Sequence, residues 1–168
     1  MSVFTPDLML NNITDIDRSL LDRHHIKGII LDVDNTLTFH NSQEVQQIVL
    51  DWLDDMKRQG IKLTIVSNNN DKRIRPFAQR LKLEYVAFGC KPLTRGFTKA
   101  CKRLGLNRKE IAVVGDQIYT DIVGGNLKGM FTILVVPFQL ENSFPFKVKR
   151  RLEQIHINKY NRKQQRGR

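Results

Sequence analysis

Five short apolar runs punctuate the chain, at 28–33 (GIILDV), 62–67 (KLTIVS), 84–88 (EYVAF), 111–116 (IAVVGD) and 131–136 (FTILVV). A strand with one wet face alternates apolar and polar residues. These runs are almost continuously apolar, so they predict strands covered on both faces. Between them lie helical patterns. Residues 44–60 place Val45, Ile48, Val49, Trp52, Leu53 and Met56 on one stripe that closes at Gly60. A shorter helix is predicted over 74–82, with Pro76 in its first turn, and two more over 94–104 and 118–128. Regular alternation of strand and helix predicts the α/β class: a three-layer, Rossmann-like α/β/α core on a parallel sheet of about five strands. The first 25 residues carry helical patches (NNITDIDRSLLDR, 11–23) expected to pack outside the sheet.

Charge changes this picture at one end only. The 168 residues carry a formal +11. From Lys147 to Arg168 there are nine basic residues and one acidic, Glu153, a net +8, which leaves +3 for everything before. The division expected is a single domain over 1–146 and a basic tail over 147–168, disordered at RKQQRGR. Within the tail, FPFKVKRRLEQI mixes Phe144, Phe146, Val148, Leu152 and Ile155 with cations, as an interfacial helix does. The two cysteines, Cys90 and Cys101, form no CxxC pair and read as small apolar filler. No apolar stretch approaches the ~20 residues that cross a bilayer, and no signal-peptide pattern opens the chain. The expected location is cytoplasmic, or peripheral at a membrane surface.

In open α/β sheets ligands bind beyond the carboxyl ends of the strands, and four strand ends here carry chemistry. After the first come Asp32, Asp34, Asn35 and Thr36. After the second come Ser67, Asn68, Asn69 and Asn70. Lys91 follows the third. Asp116 and, five residues on, Asp121 follow the fourth. Three carboxylates together, Asp32, Asp34 and Asp116, repel unless a cation joins them, and oxygen-only ligands point to Mg²⁺. With a phosphate ester as substrate each group has a task. Asp32 is the candidate nucleophile, forming an aspartyl-phosphate. Asp34, two residues on, is the candidate acid and base. Ser67, with Asn35, Thr36, Asn68 and Asn69 around it, can hold phosphate oxygens, and Lys91 offers them a point positive charge.

In this order the residues resemble the motifs of the haloacid dehalogenase (HAD) superfamily of phosphatases: Asp32-Val33-Asp34-Asn35-Thr36 matches DxDxT, Ser67 the second motif, Lys91 the third, and Gly115-Asp116 through Asp121 the fourth, GDxxxxD. The resemblance implies Mg²⁺ held by the carboxylates of Asp32 and Asp116 and the main-chain carbonyl of Asp34, with Asp121 nearby. The longer segments HIKGIILDVDNTL, GIKLTIVSNNN and GDQIYTDIVGGNLKGMFTILVVP are similar to the bacterial YqeG-type branch of subfamily IIIA, itself related to mitochondrial phosphatidylglycerophosphate phosphatases. That kinship implies a hydrolase of phosphomonoesters and suggests a phospholipid substrate.

Neither the gap between the first and second motifs nor that between the second and third can hold a cap domain. An uncapped site suits a bulky substrate, or closure by a partner subunit, because small-substrate enzymes usually need a lid. The readings that stay open are a phosphatase of a phospholipid headgroup phosphate, a phosphatase of soluble sugar phosphates or nucleotides, and an RNA- or ribosome-associated binding protein. The basic tail would contact an anionic membrane surface, RNA or nothing.

Overall fold

The computed structural model describes residues 2–139 and 144–166; the side chains of residues 144–146, 163, 164 and 166 are outside that description. The sheet is parallel throughout. Its strands are β1 (Leu8–Leu10), β2 (Gly28–Leu31), β3 (Lys62–Val66), β4 (Glu84–Val86), β5 (Ile111–Gly115) and β6 (Phe131–Val135), in the order β1-β6-β5-β2-β3-β4. The five predicted strands are present. The sixth, β1, lies just before the helical patches expected at 11–23 and is not among the predicted strands; it is only three residues long, too short to show a period. It pairs with β6, and Asp7 extends the pairing by accepting bonds from the Thr132 amide (2.8 Å) and hydroxyl (3.0 Å). The predicted helical patches follow as a single 3₁₀ turn (Ile13–Asp15) and α1 (Arg18–Arg23), capped by Asp17.

Alternate residues of each strand feed opposite faces. Ile29 and Leu31 join Val114, Ile65 and Ile133 under α1, α2 (Gln47–Arg58) and α3 (Asp71–Leu81). Ile30, Val113 and Val66 pack under Phe97, Ala100 and Leu104 of α4 (Arg95–Leu104). The layers are therefore α/β/α as expected, with no cap domain among the described residues. Trp52 of α2 is buried and donates its indole N–H to the Ile16 carbonyl (2.8 Å), which satisfies its one polar atom. Two details depart from the pattern reading. Ile48, assigned to the buried stripe of α2, is 61% exposed. Pro76 sits inside α3 rather than in its first turn, because Asn70 caps the helix four residues before the apolar pattern begins at Ile74, accepting from Arg73 N (3.0 Å).

After β5 the chain makes a π-helical turn (Ile118–Ile122) that runs on into α5 (Val123–Lys128). A long α6 (Phe144–Arg166) follows β6. The boundary expected at 146/147 falls inside α6, and the helix is seated on the domain. Ile157 packs with Ile118, Ile122 and Leu134, and Glu153 is buried. The interfacial reading of Phe144 and Phe146 falls on side chains outside the description. Val148, Leu152 and Ile155 are exposed. No helix among the described residues is long and apolar enough to cross a membrane.

Candidate active site

Strand order reverses between β2 and β5, the place where an open α/β sheet leaves a crevice at its carboxyl edge. Asp32 follows β2 and Asp116 follows β5, so the two carboxylates emerge side by side; the Asp32 amide still bonds to Val114 O (3.0 Å). Asp121 joins them from the π-helical turn. Such one-turn bulges place residues where a regular helix would not. One carboxylate oxygen from each of Asp32, Asp116 and Asp121 lies within 4.8 Å of the others. Glycine is required beneath them: a Cβ at Gly115 would lie 2.3 Å from Asp121 Cγ.

All three carboxylates were expected at the site, Asp121 through the family resemblance; the Asp34 carboxylate, which the spacing grouped with Asp32 and Asp116, is not among them. Past Val33 the chain turns tightly, with Asn35 in the left-handed region (φ 62°) and the Leu37 amide bonded back to Val33 O (2.9 Å). The Asp34 carboxylate is not part of the trio and accepts from Asn69 Nδ2 (2.6 Å), Asn41 N (2.8 Å) and Arg73 Nη2 (3.1 Å).

Lys91 is buried, and its ammonium donates to Asp32 Oδ1 (2.5 Å) and Asp121 Oδ1 (2.6 Å). Each residue of Ser67–Asn70 has a separate task. Ser67 Oγ accepts from the Asn69 amide (3.1 Å). Asn68 clamps the Lys91 backbone, accepting from its N–H (2.6 Å) and donating to its carbonyl (3.0 Å). Asn69 holds Asp34, and Asn70 caps α3. The Asn68 and Asn69 side chains, expected near phosphate, are thus bonded to Lys91 and Asp34 respectively. Thr36 is buried, and its hydroxyl has no hydrogen-bond partner among the described residues.

Two cations at the site were not singled out in the sequence for this role. Arg73 has Nε and Nη1 buried without hydrogen-bond partners beside Asp34. A basic residue in a first helical turn, where the helix dipole favours anions, was the signal. Arg150 reaches in from α6: its Nη1 donates to Asp116 O (2.6 Å) and Glu153 Oε2 (2.9 Å), and its Nη2 is ion-paired with Asp116 Oδ2.

Burial pushes the Asp32 carboxyl from its ordinary 3.8 up to about 7; Lys91 opposes the rise, while Asp121 and Asp34 add to it. Burial, with Asp32 next, raises Asp116 well above the usual range against the pull of Arg150. Burial alone would lower Lys91, but Asp121 and Asp32 outweigh it and hold the ammonium above its ordinary value. Among the described residues, five carboxylates (Asp32, Asp34, Asp116, Asp121, Glu153) are ion-paired or clustered with three cations (Lys91, Arg73, Arg150), which leaves two negative charges when all five are ionised. Asp116 Oδ1 is buried and has no hydrogen-bond partner among the described residues. Hard oxygen donors, a deficit of two charges and an orphaned carboxylate oxygen fit a divalent cation.

A cavity of about 490 Å³ adjoins the carboxylates. It shares Asp116 and Arg150 with them and is otherwise lined mainly by apolar groups, among them Leu134, Val136, Phe138 and Ile157.

The family model described as mitochondrial PGP phosphatase matches residues 1–137. The chain is similar to the probable phosphatase YqeG of Bacillus subtilis, 36% identical over 160 residues that cover 95% of this chain and 93% of that protein. It is 26% identical over 168 residues to phosphatidylglycerophosphate phosphatase 1 of Arabidopsis thaliana, a chloroplastic/mitochondrial protein, with 94% of this chain and 48% of the plant protein covered. Its backbone is similar to that of a cobalt-bound deoxy-D-mannose-octulosonate 8-phosphate phosphatase of Haemophilus influenzae, with a TM-score of 0.54 and 14% identity over 82% of this chain and 91% of that one, a likeness of fold.

Proposed function

Because the chain belongs to the PGP phosphatase family, and with it to the HAD phosphatases, we propose that it hydrolyses a phosphomonoester through an aspartyl-phosphate on Asp32, with Mg²⁺ as cofactor and a phospholipid headgroup phosphate as substrate. The observation that carries the reading is the buried meeting of Lys91 with Asp32 and Asp121, beside Asp116.

The carboxylates of Asp32, Asp116 and Asp121, with the main-chain carbonyl of Asp34, would hold Mg²⁺. The ion supplies charge neutralisation to the phosphoryl oxygens and favours the ionised form of Asp32. An Asp32 oxygen attacks phosphorus, and the bond from phosphorus to the alcohol oxygen breaks. Asp34 delivers its proton to that leaving oxygen. Water then attacks the phosphorus of the aspartyl-phosphate, Asp34 takes the water's proton, and the Asp32 carboxylate departs from the released phosphate. Asn69, Asn41 and Arg73 fix the direction of Asp34 throughout, and Asn68 fixes Lys91. Ser67, Thr36 and the two unpaired Arg73 nitrogens are the groups offered to the non-bridging oxygens.

Substrate class is argued from what surrounds these groups. No cap covers the site among the described residues, and the cavity beside it is mainly apolar with a cation at Arg150, which suits an alcohol that carries apolar chains. Lys147, Lys159 and Arg162 are exposed on α6 together with Val148, Leu152 and Ile155, a face suited to an anionic lipid surface at ~1 kcal/mol per basic residue. Phosphate release from phosphatidylglycerophosphate in anionic vesicles, measured beside soluble sugar phosphates and nucleotides, tests the reading. A kcat/KM at least ~10²-fold higher for the lipid supports it. Equal or better hydrolysis of soluble esters overturns the lipid assignment, and gel-shifted RNA without vesicle binding reassigns the basic face.

A further inference from the structure

Glu153 is the one acidic residue from Lys147 onward, and it is also the most buried of the described residues on that stretch of helix, 1% exposed. A buried carboxylate without partners is strongly disfavoured, and both oxygens here have them. Oε1 accepts from the Ile118 amide (2.9 Å), and Oε2 accepts from Arg150 Nη1. Ile118 is the first residue of the π-helical turn that carries Asp121. Arg150 grips Asp116 at two points, its main-chain carbonyl and Oδ2. What remains of Asp116 is Oδ1, the oxygen with no hydrogen-bond partner. Through two residues, α6 fixes the strand end that bears one carboxylate of the trio and the turn that bears another.

We propose that Arg150 and Glu153 are positioning residues for the cation site: Arg150 occupies one oxygen of Asp116 so that the other is presented to the cation, and Glu153 holds both Arg150 and the Asp121 turn. The inference rests on the reading of Asp116 as a cation ligand. It adds to that reading a helix outside the four motifs and outside the matched region 1–137. Carboxylates that bind metals are usually held by such outer partners, whose loss typically weakens metal binding 10- to 100-fold. The geometry also sets a direction. A cation that displaced Arg150 from Asp116 would bind more tightly once the arginine was gone; a cation that uses Oδ1 while Arg150 keeps Oδ2 would bind less tightly.

The test is Mg²⁺ binding by calorimetry, and Mn²⁺ binding by electron paramagnetic resonance, on the chelator-stripped full chain. In Arg150→Gln the dissociation constant should rise at least tenfold. Arg150→Lys should recover part of that loss, because an ammonium keeps the charge but lacks the planar fork that reaches Asp116 O, Asp116 Oδ2 and Glu153 Oε2 together. Glu153→Gln keeps an acceptor for Ile118 and should weaken binding several-fold. Asn158→Ala, on an exposed part of the same helix, should bind as wild type does. A merely structural role for α6 would lower the melting temperature of the Arg150 variants and leave metal affinity within twofold, which overturns the proposal. Tighter binding in Arg150→Gln overturns it in favour of competition. If Arg150→Gln does not fold, Arg150→Lys and Glu153→Gln decide by the same criterion. A wild-type chain that binds neither ion removes the cation reading itself, and the inference with it.

Discussion

Replacing Asp32 with Asn should destroy turnover and, in chelator above neutral pH, make the protein more stable. The carboxyl titrates at about 7 in the folded chain against its ordinary 3.8, with burial as the leading cause. The folded state therefore holds this proton more tightly than the unfolded state does. Below about pH 4 Asp32 is neutral in both states and costs nothing. From about pH 4 to 7 the unfolded chain ionises first, and folding loses stability as pH rises. Above 7 the full penalty applies. Roughly three pH units at 1.36 kcal/mol each set a ceiling of about 4 kcal/mol. Asn keeps an acceptor for Lys91 but leaves a buried amide to be satisfied, so about 2 kcal/mol of gain is expected at pH 8. For a chain of this size that is roughly 4–8 °C in Tm. Thermal melts of both proteins in excess chelator at pH 4.5, 6 and 8 measure it. The gain should grow with pH, and saturating Mg²⁺ should cancel it, since only the wild type offers the ion a carboxylate there. An Asp32→Asn protein less stable than wild type at pH 8, or a difference that ignores pH, refutes the electrostatic account of the site.

Chelation should abolish phosphate release and Mg²⁺ should restore it, with Ca²⁺ restoring it poorly because its longer, looser coordination misplaces the nucleophile; a coupled phosphate assay reads this directly. Gly115→Ala should lower Tm by many degrees and weaken metal binding, because the added Cβ falls 2.3 Å from Asp121 Cγ; melts and metal titration check both. Asn68→Ala removes two hydrogen bonds from the Lys91 backbone, at about 1–3 kcal/mol of stability, and should lower kcat more than it raises KM in steady-state kinetics.

Five of the strands were legible because each is an apolar run, and Asp32, Ser67 and Asp116 stood out because each sits where such a run stops. What the pattern hid was direction. Asp32 and Asp34 looked paired by the period of two, but the left-handed turn at Asn35 ends the strand geometry and sends Asp34 toward Asn69 and Arg73. Strand β1 was hidden by its length and the true start of α3 by polar residues that cap rather than pack. The basic C-terminal stretch was summed as charge, which ignores faces. Arg150 was counted among nine cations although its guanidinium is the one bonded to Asp116. Its signal was present in the spacing: a lone Glu153, three residues after Arg150, is on the same side of a helix, and a single acid among nine bases has a reason to be buried.

The pairing of Asp116 with Arg150 spans 34 positions, and that separation has a meaning in time. At roughly 5–20 residues per second of synthesis, Asp116 is made about 2–7 s before its counter-ion. All four motifs and all six strands leave the ribosome before α6 does. Until α6 is released to dock, the sheet can form around Asp32, Asp116 and Asp121 only with Lys91 to offset them. The helix that carries Arg150 is thus a late step of assembly: a purified chain truncated before Arg150 should hold a sheet and lack a settled acidic centre.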